Sequence, residues 1–149
     1  MPTEIDNAWA AGIMDGEGYA CLIQFPQREG TSWAGHVGVN NTDPRMLRKL
    51  QECYGGKISR MSEPPTYAKI KGNKPVFTWR LNGRFAEPFL RMILPHLVCK
   101  KDQAEVYLLY VETLRPKKYS FARKTDDNTI SERRAMYESL RALKAEVHA

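Results

Sequence analysis

The chain has 149 residues, 42% of them hydrophobic, and a net charge of +6. That length and composition fit one globular domain with a core of its own and exclude a fibrous or disordered chain. The modest basic excess either favours a polyanionic partner or serves solubility alone. Cys21, Cys53 and Cys99 are odd in number, far apart and without a Cys-x-x-Cys pair. This argues against a zinc site or a disulfide framework and for a reducing, intracellular compartment. The N-terminal stretch lacks a basic segment followed by an apolar run, so no signal peptide is expected, and no apolar run is long enough to span a membrane.

The first predicted helix runs from about Asp6 to Gly16, with Thr3 or Asp6 as its cap. Ala8, Gly12 and Gly16 recur every fourth residue and share one face, with Ala11 and Asp15 beside them. Small residues at that spacing let a second helix backbone approach closely. The helix then ends in two acids, Asp15 and Glu17, at the wrong end of its macrodipole, and in two glycines. Something outside the helix must compensate.

"GYACLIQFPQR" and "GTSWAGHVGVNN" follow as two strands around a turn near Glu29–Thr31. In the second, Val37 and Val39 alternate with His36, Gly38 and Asn40, so one face is apolar and one polar. The first strand is apolar on both sides, and its parity stays open. "TDPRMLRKLQECYGG" is a short helix capped by Thr42 or Asp43, with Pro44 at its first position and glycines at its end. "KISRMS" and "PVFTWRLNG" are two more strands; in the latter Phe77, Trp79 and Leu81 face away from Thr78, Arg80 and Asn82. Helices are expected over "EPFLRMILPHLV" and "KKDQAEVYLLYVETLRP", then a polar loop over 117–128. A final amphipathic helix over about 129–147 opens with a Thr129/Glu132 capping box. The order predicts an α+β fold, an antiparallel four-stranded sheet with helices on one face, in a single domain covering 1–149 with the last helix appended.

The stretch "AAGIMDGEG", residues 10–18, resembles the signature of the LAGLIDADG homing endonucleases. Gly12, Asp15 and Gly18 match it, Ala10 stands where the first Leu is usual, and Glu17 replaces the second acid. The order of elements, "NTDPRMLRKL" and "LPHLVCKKDQAE" extend the resemblance over roughly residues 5–115. The resemblance implies an α-β-β-α-β-β-α topology with a saddle-shaped sheet. It also implies a site-specific, Mg²⁺-dependent double-strand DNA endonuclease, with Mn²⁺ or Ca²⁺ as alternative occupants. A single motif implies a homodimer, joined through Ala8, Ala11, Gly12 and Asp15, that cuts a long pseudo-palindrome.

By the same resemblance, Glu17 and the Gly16 carbonyl hold metal, and Asn41, Arg45 and Lys100 surround the scissile phosphate. Asn41 can equally be a turn residue, Arg45 an exposed helix charge, and Lys101 can replace Lys100. Candidate DNA readers are Gln24, Gln27, Arg28, His36, Asn40, Lys57, Ser59, Arg60, Thr78 and Arg80 on the strands, with Lys69 and Lys71 in the loop or ragged strand before the fourth. On the first strand the resemblance turns Cys21, Ile23, Phe25 and Gln27 toward DNA. The alternative is a non-cleaving protein on the same scaffold: a DNA-binding regulator, or a splicing maturase with intron RNA as partner.

Overall fold

Thr3 opens the first helix, α1 (Glu4–Glu17), earlier than the sequence predicts. Its hydroxyl accepts the Asp6 N–H at 3.1 Å, and the Asp6 carboxylate accepts the Thr3 N–H at 2.9 Å. The two expected caps are therefore the two halves of one capping box. The structure is a computed structural model describing residues 1–28, 30–60, 75–114 and 127–146.

Next come β1 (Gly18–Gln27) and β2 (Gly30–Asn41), then α2 (Pro44–Tyr54) with Asp43 as N-cap. Gly55 and Gly56 end α2 with φ of 74° and 92°, where L-residues with side chains are strained. β3 (Lys57–Arg60) and β4 (Phe77–Asn82) complete an antiparallel sheet of order β1-β2-β4-β3. A 3-10 turn (Gly83–Ala86) leads into α3 (Glu87–Ile93). The helix expected to reach Val98 tightens into a second 3-10 turn at Leu94–His96, because Pro95 lacks the N–H that would continue it. α4 (Lys101–Glu112) and α5 (Asp127–Glu146) follow. Thr129 lies within the first turn of α5 and not at its cap, correcting that expectation. Lys69, Lys71, most of the expected polar loop and Val147 lie outside the described residues.

The register settles the parity of β1. Gly18 pairs with Val39 and Ala20 with Val37; Val37 and Val39 pair onward with Leu81 and Trp79. All are buried on one side of the sheet, with Leu47, Leu50, Phe89, Leu90, Ile93 and Tyr107 of the helices. Trp79 lies edge-on to Phe89 at 5.1 Å, and its indole N–H donates to the Gly55 carbonyl at 2.7 Å. The buried Asn7 accepts from the Tyr54 hydroxyl at 2.7 Å, so the α1–α2 contact leaves that amide oxygen satisfied. Gly35 has no side chain because Tyr110 occupies the space: a Cβ there would sit 2.6 Å from its ring. Tyr19, Cys21, Ile23, Phe25 and Gln27 therefore point away from the helices.

Candidate active site and nucleic-acid interface

The acids at the end of α1 separate into two roles. Asp15 turns inward, and its carboxylate accepts the backbone N–H groups of Val98, Cys99 and Lys100 at 2.9, 3.0 and 2.9 Å. This is the compensation that the wrong-end charge requires: three donors just before α4 face one carboxylate. Glu17 stays exposed. Gly18 then passes directly from helix to strand, its N–H closing the helix on Met14; a Cβ there would lie 2.8 Å from the Met14 Cα.

With residues 98–100 held by Asp15, the half-buried Lys100 side chain donates to the Gly18 carbonyl, the residue after Glu17. Lys101 is the exposed first residue of α4, so the geometry separates the two lysines. Burial lowers the Lys100 ammonium pKa, while nearby Asp15, Cys99 and Glu17 raise it. Lys144 also acts on this neighbourhood: its positive charge further lowers Lys100, and its own pKa is lowered by burial. Sequence reading passed over Lys144. The available signal was its place four residues after Leu140, a core residue, which puts it on the packed side of α5.

Val39 pairs with Gly18, so Asn40 and Asn41 continue past the start of β1 beside the end of α1. Asn41 is engaged locally, its amide oxygen accepting the Asp43 N–H at 2.8 Å. Arg45 is 84% exposed and ion-paired to Asp43 at 2.7 Å. Both have the structural partners of a strand-to-helix turn.

The polar face of the sheet is ordered in rows. Tyr19, Gly38, Arg80 and Lys57 form one; Cys21, His36 and Asn82 another; Asn40, Thr78 and Ser59 a third. Tyr19 lies over Gly38, where a Cβ would meet its hydroxyl at 2.6 Å. His36 is 7% exposed, edge-on to Tyr19 at 5.4 Å, with Nε2 3.1 Å from the Cys21 sulfur. Burial first, then the charges of Arg80 and Lys144, lower its pKa to about 4, so the ring is neutral at neutral pH. Burial raises the Cys21 thiol. Thr78 is buried and donates to Asn40 at 2.8 Å. Gln27, Asn40, Lys57, Ser59 and Arg80 are exposed on this face, and Arg28 is exposed in the turn after β1. Gln24 and Arg60 are corrections. Their partners Trp33 and Phe77 lie on the helix side, so their parity puts them opposite Gln27 and Ser59.

No family model matches the chain. A 57-residue stretch is 33% identical to the intron-encoded RNA maturase bI4 of Saccharomyces cerevisiae (strain ATCC 204508 / S288c), covering 38% of this chain and only 8% of that protein. Among solved structures, the homing endonuclease I-CvuI in complex with its target superposes with a TM-score of 0.73 at 19% identity, over 94% of this chain and 82% of that one. The archaeal intron-encoded homing endonuclease I-Vdi141I complexed with DNA gives 0.75 at 14% identity, over 94% and 84%. The LAGLIDADG homing endonuclease I-GzeII in complex with its DNA target gives 0.63 at 11%, over 88% and 43%. The chain has the LAGLIDADG homing-endonuclease fold.

Within that fold the outer side of α1 is open. Ile5 is 81% exposed, Ala8 is exposed, and a Cβ on Gly12 or Gly16 would meet nothing within 4 Å. Ala11, in contrast, is fully buried in the chain's own core, and Asp15 is engaged by residues 98–100. Neither belongs to the open face, which corrects the expected set. Among the described residues no cluster of three or more His, Cys, Asp or Glu side chains forms. Glu17 and the Gly16 carbonyl are hard oxygen donors, suited in kind to Mg²⁺, which keeps waters and takes phosphate oxygens. Also among the described residues, no helix is long and apolar enough to cross a membrane.

Proposed function

We propose that the chain is a site-specific DNA endonuclease that works as a homodimer, with one Glu17 from each copy holding divalent cations beneath a bound duplex. One observation carries this reading. An exposed carboxylate ends a helix whose small-residue face is open, next to the half-buried amine of Lys100. Helices meeting through Ala8, Gly12 and Gly16 would bring the two carboxylates together, where their repulsion demands a cation. The DNA complexes of the structural neighbours and the calcium in one of them support the same reading.

The residues divide the work. Glu17, with the Gly16 carbonyl, would hold Mg²⁺; when bound, the ion supplies positive charge to the phosphate and acidifies water. Lys100, restrained by its bond to Gly18, places a cation beside the phosphate, and its lowered pKa suits it to move a proton. Asn41 and Arg45, at the turn beside the end of α1, would orient water and phosphate after exchanging their local partners. The polar face of the sheet would read bases through Gln27, Asn40, Ser59 and Arg80, with Lys57 and, in the turn after β1, Arg28 on phosphates.

A plasmid library incubated in Mg²⁺ tests this beside Glu17→Gln. The expected result is double-strand cutting by the parent, at least a hundredfold slower in the variant, with DNA binding retained. Cutting that survives Glu17→Gln would refute the assignment. The match to an RNA maturase favours a second reading, binding and splicing of intron RNA. Intron RNA bound without any duplex cutting would select it.

A further inference from the structure

The polar face of the sheet has an apolar interruption that the hydrolytic chemistry does not use. Ile23 and Phe25 point away from the core and are 48% and 37% exposed. Across the ladder they meet Ala34, also exposed, and Ser32. Beyond Leu22 every residue of β1 is exposed on both faces, so the hairpin runs past the helices. Trp33 closes the core at that point, with the Arg134 guanidinium 5.8 Å over its ring. The projecting part is a two-stranded ribbon, the shape a major groove admits. Gln27 shares its outward face and Arg28 is exposed at its tip, while Arg80 on the central strand β4 and Lys57 on the far edge strand β3 lie on the same side of the sheet.

A surface that meets nucleic acid is normally polar, and these two side chains form no hydrogen bonds to base edges. In the major groove the one apolar group on a base edge is the C5 methyl of thymine. We propose that Ile23 and Phe25 are specificity-determining residues that read thymine methyl groups in each half-site, on the side away from the cut. The inference rests on the DNA reading above. Two residues along a strand span about 7 Å, which is about two base-pair steps. The two thymines therefore lie within about two steps of each other.

Duplexes are selected from a randomised library with the full chain in calcium. Each selected thymine is then replaced by deoxyuridine, which lacks only the methyl group. Affinity should fall about fourfold per contacted methyl. Ile23→Ala should remove that fall at one position and Phe25→Ala at its neighbour, while Ile23→Val keeps most of it. Equal affinity for thymine and deoxyuridine sites overturns the proposal, as does undiminished discrimination in both alanine variants. So does a change in oligomeric state on Ile23→Ala with discrimination intact, which would make the pair a contact between chains. Failure to enrich any duplex overturns the DNA reading itself, and this inference with it.

Discussion

His36 illustrates how burial redirects a single side chain. As a histidine on a polar strand face it reads as a DNA contact, yet burial beside Tyr19 and Cys21, and then the charges of Arg80 and Lys144, hold it neutral, with its pKa lowered to about 4. The unfolded chain takes up this proton near pH 6.5, before the folded one does. Its contribution is therefore whole above about pH 6.5 and is lost as pH falls through about 4. Replacing it with a side chain that does not titrate should flatten the acid limb of stability by on the order of 2 kcal/mol. Urea midpoints of parent and His36→Gln at pH 7 and pH 4.5 check this; parallel acid losses would refute it. The residue type was legible in the sequence and its state was not, because desolvation depends on neighbours from β1, β4 and α5. Lys100 and Lys101 present the same limit. Adjacent in sequence, they are distinguished only by where the chain turns into α4.

Side-chain bonds to the backbone couple elements here in addition to apolar contact. Asp15 ties the end of α1 to the start of α4, and that tie positions Lys100. Asp15→Ala should cost about 1–3 kcal/mol, the value of unmade bonds to a charged acceptor. Hydrogen exchange at Val98, Cys99 and Lys100 should accelerate, and cleavage should fall more than binding. Unchanged exchange at those amides would show that the loop holds itself. Element type was readable across the described residues, because period-two and period-3.6 patterns and their caps are local. Boundaries were less so. α1 starts at Glu4 and not at about Asp6, and Pro95 shortens α3, both within a few residues of expectation.

At the scale of the molecule, the open face of α1 makes its own prediction. Gly12 has room for a side chain in the single chain and, in the proposed dimer, none. Gly12→Leu should leave the fold intact, even gaining up to about 1 kcal/mol in helix propensity, and should halve the mass seen by light scattering. Circular dichroism and scattering on one sample separate the two effects; a dimer that tolerates leucine would place the interface elsewhere. The sequence by itself determined the elements, their order and the motif at the end of α1, since these follow from local spacing, capping and turn chemistry. Tertiary structure decided which of two neighbouring acids faces inward, which lysine meets Gly18, that Ala11 is core, and that Gln24 and Arg60 leave the polar face. The two strand assignments depend on register, where a one-residue shift reverses the face; the others depend on contacts between residues far apart in the chain.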